Sequence, residues 1–420
     1  RDSNLKTVDS ITVEAAGIME LPTPWETANL GLMRFAQSAD VVFVACSGYQ
    51  PQRIERRAAR SWSVVGYKSS SGPFYVTRSV DAKLKVSATS GNATLTSDKA
   101  FFRSTHVGAL FRLFSEGGIN QTHTISNEVA YTDPIRVSGL SGFVAGASEA
   151  NTRERLIHYT ITGTWSGTIS VLKSTRDKEY GYTKSHIRYE YPVSTNIDAG
   201  VAITTNVDYY LNDKNDNEFV WYKLGFESGD YTSGTASIVF EYAGWDVAGV
   251  CRVTGYTSAT QVSVEILQTM GNTSYTSTWQ EGMWSDEDGW PAAVAFYDGR
   301  LWWSGLDRLW GTVSDEFNNF DEDYEGDAGP INRSISTGGV NDTQWLLGLQ
   351  RLAIGTEGMI AVGKSSSLDD PITPTSLAIR DVSSLGVAPN AAVKIDSRGL
   401  FVERSGRAIM ELIYDASQND

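Results

Sequence analysis

The densest group of ionisable side chains is the stretch DEFNNFDEDYEGD at residues 315–327, where seven of thirteen residues are acidic and none is basic. Asp321, Asp323 and Glu325 match the opening of a calcium-binding loop, in which alternate side chains converge on one cation. The twelfth position of such a loop needs a bidentate Glu, but here it is Asn332. The pattern therefore makes a weak candidate calcium loop.

Carboxylates this close repel one another, and water, a cation or a basic partner can relieve the repulsion. We favour a loop that is solvated or that faces another subunit, and we predict no metal site. The candidate contact residues in this stretch are Asp315, Glu316, Asp321, Glu322, Asp323, Glu325 and Asp327.

The one local run of positive charge contains Arg53, Arg56, Arg57 and Arg60. These residues alternate with apolar side chains, which is typical of a strand edge and the loop after it. Such a run is either a solvated face or a contact for the acidic face of a neighbouring subunit. In a chain of net charge −15, that partner can be a second copy of the same chain.

No pattern that accompanies a known catalytic chemistry is present. The four histidines (His106, His123, His158 and His186) form no H-E-x-x-H pair, and the chain has no G-x-S-x-G elbow, P-loop or G-x-G-x-x-G. The stretch at 285–290 is similar to the Asp-box turn of sialidase propellers, but it occurs once and with different spacing. We therefore predict no enzyme and no cofactor, with a glycan-hydrolysing β-propeller as an alternative. The tryptophans Trp284, Trp290, Trp302, Trp303 and Trp310 are predicted to pack in a core.

Composition limits the possible classes of protein. The 420 residues carry 35 Lys and Arg against 50 Asp and Glu, which argues against a surface that coats duplex DNA or an anionic membrane. Cys46 and Cys251 lie in apolar stretches and are predicted to be buried free thiols. The first twenty residues contain no apolar signal core, and no apolar run is long enough to span a membrane as a helix.

Alternation of apolar and polar residues predicts a mainly β fold. One helix is predicted from Thr23-Pro24-Trp25-Glu26, a capping box with Pro at the first helical position, and it is expected to end near Gln37 or Ser38. Segments 39–65, 293–317, 346–366 and 391–415 share a pattern of strand, turn and strand, and the last three begin about 50 residues apart, as propeller blades do.

These repeats predict a discontinuous β-propeller-like core with inserted β-sandwich domains. The predicted domains are residues 1–72 as the first part of the core with one short helix, 73–150 as an inserted β domain, 151–282 as a second inserted β-sandwich domain, and 283–420 as the rest of the core.

Several stretches together resemble one known family over nearly the whole chain, most strongly at residues 20–62 and 281–415. They are Thr23-Pro24-Trp25, Met33-Arg34-Phe35-Ala36-Gln37-Ser38-Ala39-Asp40, Gly48-Tyr49-Gln50-Pro51, Gly229-Asp230-Tyr231-Thr232-Ser233-Gly234, Val253-Thr254-Gly255-Tyr256, Trp290-Pro291-Ala292-Ala293-Val294-Ala295-Phe296-Tyr297-Asp298-Gly299-Arg300-Leu301-Trp302, Trp310-Gly311, Phe317-Asn318-Asn319-Phe320, Pro374-Thr375-Ser376 and Leu400-Phe401-Val402-Glu403-Arg404. The family is the tail nozzle, or tail tubular protein B, of short-tailed bacteriophages.

The resemblance implies a structural virion protein without catalytic residues. It implies a six-fold ring below the portal and adaptor that retains DNA and then conducts it during ejection, without binding it specifically. The implied partners are other copies of the chain, the tail adaptor and other tail proteins such as fibres or a needle, with no membrane insertion. The implied location is the virion tail, assembled in the cytoplasm of the host bacterium. Family members usually extend beyond both ends of this sequence.

Two other classes stay open at this point. A receptor-binding or adhesin subunit of the tail would present aromatic residues on exposed loops of the inserted domains. A glycan-hydrolysing propeller would bring two carboxylates close together in its central cleft.

Overall fold

The computed structural model describes residues 20–76, 80–116, 119–138, 155–176, 178–184, 203–213, 219–242, 246–324, 326–335, 342–365 and 370–414. In these residues the regular secondary structure is almost entirely β-strand, with two short 3-10 helices at Thr27–Leu32 and Ser104–His106. The predicted fold class is confirmed. The chain is mainly β, with a discontinuous propeller-like core and inserted β domains.

The first sheet of the core is a four-stranded antiparallel meander in the order β1-β2-β3-β4. Its strands are β1 (Met33–Ser38), β2 (Val41–Cys46), β3 (Tyr49–Ala58) and β4 (Ser61–Gly66).

The next twelve strands form two six-stranded sheets in the region between the two parts of the core. They are β5 (Leu84–Val86), β6 (Asn92–Ser97), β7 (Leu110–Glu116), β8 (Ile119–Ile125), β9 (Ile135–Ser138), β10 (Arg155–Ser174), β11 (Thr183–Lys184), β12 (Val207–Asp213), β13 (Phe219–Tyr242), β14 (Asp246–Ser258), β15 (Gln261–Gln268) and β16 (Trp279–Glu281).

The rest of the core consists of two more four-stranded meanders, β17 to β20 and β21 to β24, and a three-stranded sheet, β25 to β27. Their strands are β17 (Ala293–Tyr297), β18 (Arg300–Gly305), β19 (Arg308–Gly311), β20 (Ile331–Ser334), β21 (Thr343–Gly348), β22 (Leu352–Thr356), β23 (Ile360–Lys364), β24 (Ala378–Ser383), β25 (Val393–Ile395), β26 (Arg398–Val402) and β27 (Ile409–Leu412).

The four core sheets pack face against face in chain order. For brevity we call them sheet A (β1 to β4), sheet B (β17 to β20), sheet C (β21 to β24) and sheet D (β25 to β27). Phe43 and Tyr67 share a buried cluster with Trp303, so the chain before the insertion packs directly on the chain after it. Trp302 and Ile354 lie in the cluster that joins sheets B and C, and further buried side chains join sheets C and D.

Turn chemistry explains the tight hairpins of these meanders. In sheet B, β17 and β18 are joined by Asp298 and Gly299, with φ angles of 50° and 70°. Positive φ at both central residues is the requirement of the two-residue turn whose twist matches that of antiparallel strands, and Asp-Gly satisfies it at low cost. The Asp-Gly pair therefore fixes the register that places Trp302 and Trp303 on opposite faces of the sheet.

The inserted region is nested, and here the predicted boundary at residue 150 is wrong. One six-stranded sheet combines β5, β6 and β7 with β14, β15 and β16, and the other contains β8 to β13. Strands before residue 150 therefore pair with strands after it, as β7 does with β14 and β8 with β13. The second sheet interrupts the first in the same way that the whole insertion interrupts the core. Residues 139–154, which contain the predicted boundary, lie outside the described residues, and strand pairing over long sequence distances leaves no local signal in the sequence.

The predicted helix is also shorter than expected. Only Thr27–Leu32 is helical, with 3-10 geometry and Glu26 as the N-cap, and residues 33–38 form β1 instead. Leu30 and Met33 fit a helical period, but Met33, Phe35 and Gln37 equally fit the alternation of a strand. Residues 33–38 form a strand and not a helix, because β1 pairs with β2 along its whole length.

Candidate functional site

The acidic loop at residues 315–327 connects β19 to β20 and is held by one buried arginine of the neighbouring strand. Arg300, 1% exposed, donates hydrogen bonds from Nη1 to the carbonyl oxygens of Thr312 and Gly329, each at 2.6 Å. Its Nη2 donates to the carbonyl oxygen of Asp327. Burial lowers the pKa of the Arg300 guanidinium. One side chain thus fixes both ends of the loop through backbone oxygens.

The chain that leads out of sheet A holds the middle of the loop. The Tyr67 hydroxyl donates to the carbonyl oxygen of Phe317 at 2.7 Å, and burial raises the pKa of Tyr67. The Ser71 hydroxyl donates to Oδ1 of Asn319 at 2.8 Å and accepts from the backbone N–H of Phe320 at 3.2 Å. The loop is therefore an ordered part of the contact between sheets A and B.

Two arginines of the inserted region form ion pairs with the loop. Arg112 of β7 donates from Nη2 to Oδ1 of Asp323 at 3.0 Å, and its Nη1 lies 3.9 Å from Glu322. Arg136 of β9 donates from Nη1 to Oδ2 of Asp323 at 2.6 Å and from Nη2 to Asp321. Both arginines are buried, at 7% and 5% exposure. We call these four residues, Arg112, Arg136, Asp321 and Asp323, the buried junction.

The two aspartates of the junction differ in their surroundings. Burial raises the pKa of Asp321, and this exceeds the lowering by Arg136. Burial by itself raises the pKa of Asp323. The guanidinium groups of Arg136 and Arg112 outweigh this effect and lower the pKa of the carboxyl below its usual range. The difference arises because Asp323 contacts both guanidinium groups, whereas Asp321 forms an ion pair with Arg136 alone.

The junction connects both inserted sheets to the core. Arg112 comes from the sheet that contains β14, and Arg136 comes from the sheet that contains β13. Both meet on a loop that belongs to sheet B. Motion of either inserted sheet relative to the core would separate a buried cation from its carboxylate, which costs several kcal/mol. The junction therefore holds both inserted sheets against the core.

From the sequence we expect repulsion within the acidic loop to be relieved by water, by a cation or by Arg53 to Arg60 of another copy. The structure instead pairs Asp321 and Asp323 with arginines of the same chain. Asp315, Glu316, Glu322 and Asp327 are exposed, and Glu316 accepts hydrogen bonds from the side chains of Asn319 and Tyr324. These four remain candidates for a contact with another molecule.

For the calcium candidate, Asp321 and Asp323 face guanidinium groups, and Glu325 lies outside the described residues. Among the residues that the structure describes, no group of three or more His, Cys, Asp or Glu is arranged to hold a metal ion. The two arginines occupy the place that a cation would need at these carboxylates.

The basic run lies on β3 and the turn after it, as expected, but it has acidic partners within its own sheet. Arg53 and Arg57 lie 3.2 and 3.3 Å from the carboxylate oxygens of Glu55, and Arg56 lies 3.5 Å from Asp40. The Arg56 guanidinium also lies 5.8 Å from the centre of the Trp62 ring. Arg60 is exposed in the turn between β3 and β4. A contact with another subunit stays a prediction for these residues.

One histidine of the inserted region contacts two carboxylates. His158 on β10 lies between β12 and β13, with Nδ1 2.7 Å from Glu241 Oε2 and Nε2 2.5 Å from Asp208 Oδ1. Burial lowers the pKa of His158, but the hydrogen bonds to Glu241 and Asp208 outweigh it and raise the pKa above its ordinary value. The imidazolium therefore links three strands of one sheet. His106 forms a second, fully buried contact, 3.3 Å from Glu281.

Four of the five tryptophans are buried as predicted, and Trp290 is half-buried against the cluster that contains Trp284. Trp302, Trp303 and Trp310 are fully buried, and Trp284 is 7% exposed with its ring edge-on to Trp310. They fill the contacts between core sheets, so they offer no exposed platform for a sugar ring. Both cysteines are buried free thiols, as predicted.

No family model matches the chain, and no curated protein matches it. Among solved structures, the chain is similar to the phage phi92 endosialidase, with 9% sequence identity and a TM-score of 0.19 over 88% of this chain. The aligned part covers 60% of the endosialidase chain. In the described residues no helix is long and apolar enough to cross a membrane.

Proposed function

We propose that the chain is a structural subunit of the tail of a short-tailed bacteriophage. In this proposal it forms the nozzle ring that extends the portal and adaptor channel, retains packaged DNA and conducts it during ejection. The observation that carries the proposal is the packing of sheet A on sheet B through Phe43, Tyr67 and Trp303. The two stretches of strongest family resemblance, 20–62 and 281–415, thereby belong to one stack of sheets, although the insertion separates them in sequence.

The negative charge of the chain supports a channel through which DNA passes without being bound. The net charge is −15, and four carboxylates of the acidic loop, at Asp315, Glu316, Glu322 and Asp327, are exposed. A wall of this sign repels phosphates, and no counterion-release free energy accumulates to hold the DNA. Two basic side chains that could attract phosphates, Arg112 and Arg136, are instead buried in ion pairs with Asp323.

We further propose that the role is structural and not enzymatic. Glu241 and Asp208 are hydrogen-bonded to His158, and the buried carboxylate of Glu281 lies 3.3 Å from His106. Trp284, Trp302, Trp303 and Trp310, which would otherwise be candidates for stacking on a sugar, are buried in the core. The location proposed for the chain is the virion tail, with the tail adaptor and further tail proteins as partners.

The test uses the phage that encodes this chain, with its expression blocked during infection. We expect heads that package DNA and then lose it, and tails that lack the part below the adaptor in electron micrographs. Restored expression from a plasmid is the control. Stable DNA-filled heads without the chain would contradict the proposal.

Two further assays distinguish the alternatives. Purified chain that blocks phage adsorption to host cells would favour a receptor-binding subunit. Release of reducing sugar from host surface glycans would favour a glycan-hydrolysing propeller.

A further inference from the structure

A small cleft lies where the inserted region meets the core. Its walls include Lys68 and Ser69 of the chain that leaves sheet A, Arg252 of β14, and Trp284 and Trp290 of the chain that leads back to β17. The cleft has a volume of about 30 Å³. Because one water needs about 10 to 15 Å³, the cleft has room for a single small polar group.

The cleft is positively charged in a chain whose net charge is −15. Lys68 and Arg252 line it, and none of the described residues that line it is acidic. Lys68 is exposed, whereas Arg252 is half-buried, and burial lowers the pKa of its guanidinium. Both cations favour a negatively charged occupant, and the half-buried one is less screened by solvent.

Arg252 has a backbone partner but no ion pair among the residues that the structure describes. Its Nη2 donates to the carbonyl oxygen of Ser69. Glu265 lies opposite it on β15 and raises its pKa, but the two side chains form no ion pair. The two arginines of the buried junction differ, since each binds an aspartate. A guanidinium that is partly removed from water is therefore left here with one neutral acceptor, which offsets only part of its lost hydration.

Trp284 adds an unused hydrogen-bond donor to the walls of the cleft. Its side chain is 7% exposed, and its indole Nε1 has no acceptor in the described part of the chain. In contrast, Nε1 of Trp290 donates to Oδ1 of Asp286 at 2.7 Å. A buried N–H group without an acceptor is destabilising. The free polar groups of the walls are thus donors, which calls for a ligand that only accepts.

We infer that this cleft binds one carboxylate group. An ionised carboxylate only accepts hydrogen bonds, and its planar shape matches the fork of a guanidinium. Its two oxygens fit the small volume better than the four oxygens of a phosphate do. A carboxylate in the cleft would lie beside Arg252 of the inserted region and Lys68 of the core, so it would join the two regions at a second place besides the buried junction.

The test follows the indole N–H signals of isotope-labelled protein by NMR during a titration with sodium acetate. Trp284→Phe and Trp290→Phe identify the signals of the two tryptophans that line the cleft. Sodium chloride at equal ionic strength is the control for a general effect of salt. We expect saturable shifts of these signals in acetate and none in chloride.

Three variants locate the binding group. Arg252→Gln should weaken acetate binding about tenfold or more, because it removes a charged hydrogen-bond donor. Lys68→Gln should weaken it about two- to fivefold, since this charge is exposed. Lys83→Gln is the matched control, because Lys83 is exposed and does not line the cleft, and it should bind as wild type does. Lys68→Gln changes an exposed side chain, so it reports on the cleft even if Arg252→Gln does not fold.

Sedimentation velocity distinguishes two sources of the carboxylate. Assemblies of the wild type that both Lys68→Gln and added acetate weaken would assign it to an acidic side chain of a second copy. Assembly that is indifferent to both, with saturable acetate binding, would assign it to a small free acid. A monomeric wild type that binds acetate would support the cleft and contradict the proposed ring.

Three results of the titration would overturn the inference. They are the absence of a saturable shift in acetate, a shift of equal size in chloride, and an affinity of Lys68→Gln equal to that of the wild type.

Discussion

The buried junction and the basic run of β3 contain the same chemistry, arginine against carboxylate, in opposite surroundings. In the junction, Arg136 is 5% exposed and contacts two aspartates of a remote segment. In the basic run, the Arg57 side chain is 67% exposed and its partner, Glu55, is two residues away. The first pair joins regions that are 187 residues apart, and the second joins neighbours on one strand.

Charge density in the sequence therefore does not indicate which ion pairs contribute to stability. Exposed ion pairs contribute roughly 0 to 1 kcal/mol because water already solvates both partners. Removal of one partner from a buried pair costs about 3 to 5 kcal/mol, since the other charge is left without compensation. The junction should therefore control how the inserted region is held, whereas the basic run should contribute little to stability.

The largest effect is expected from Arg136→Ala. The change leaves Asp321 without its guanidinium partner and Asp323 with one instead of two, in a buried site. We expect the free energy of unfolding in urea to fall by about 3 to 5 kcal/mol.

Arg57→Ala is the matched control for Arg136→Ala and should change this free energy by about 0.5 kcal/mol or less. Equal losses in the two variants would show that burial does not distinguish the two regions.

A double-mutant cycle sharpens the same comparison. The cycle of Arg136→Ala with Asp321→Ala should give a coupling free energy of about 1 to 3 kcal/mol, because each single change leaves a buried charge that the double change removes. The cycle of Arg57→Ala with Glu55→Ala should give about 0.2 to 1 kcal/mol. Both are measured by urea unfolding at low ionic strength. A junction coupling below that of the basic run would contradict the assignment.

The sequence predicted the strands and hairpins of this molecule better than the contacts of the buried junction. Alternation and the repeated pattern of strand, turn and strand predicted the strands and hairpins, because both are local properties. The pairing of β7 with β14 across the nested sheet was missed, since it depends on strands far apart in the chain. Arg112 and Arg136 were missed as well. Each is one cation between apolar neighbours, in LFRLF and IRV, and a cation in a buried strand indicates a buried acidic partner.

A smaller effect is expected from substitution of His158, whose ion pairs are less buried than those of the junction and more buried than those of the basic run. Its imidazole is 16% exposed, and Glu241 and Asp208 contact its two nitrogens. The pKa of His158 is raised in the folded chain. Its contribution to stability is therefore fully present below the ordinary pKa of about 6.5 and is lost as the pH rises through the folded value.

We expect wild type to exceed His158→Gln in unfolding free energy by about 1 kcal/mol at low pH, and by less as the pH rises. His123→Gln is the matched control, because the contacts of His123 are the side-chain oxygen of Gln121 and the backbone N–H of Asp133. The measurement is urea unfolding at a series of pH values. A difference between wild type and His158→Gln that grows with pH would have the wrong sign and would reject the linkage.

The smallest effect, no measurable change, is expected from removal of calcium. Two guanidinium groups already neutralise Asp321 and Asp323, so a cation at these carboxylates would have to displace Arg136 or bind beside it against repulsion. The melting temperature of the wild type should therefore be the same in chelator and in added calcium. Asp321→Asn with Asp323→Asn should melt lower than wild type in both conditions, because it breaks the junction. If chelator lowers the melting temperature of the wild type but not that of the double variant, the acidic loop is a calcium site, and its stability depends on the metal more than on the arginines.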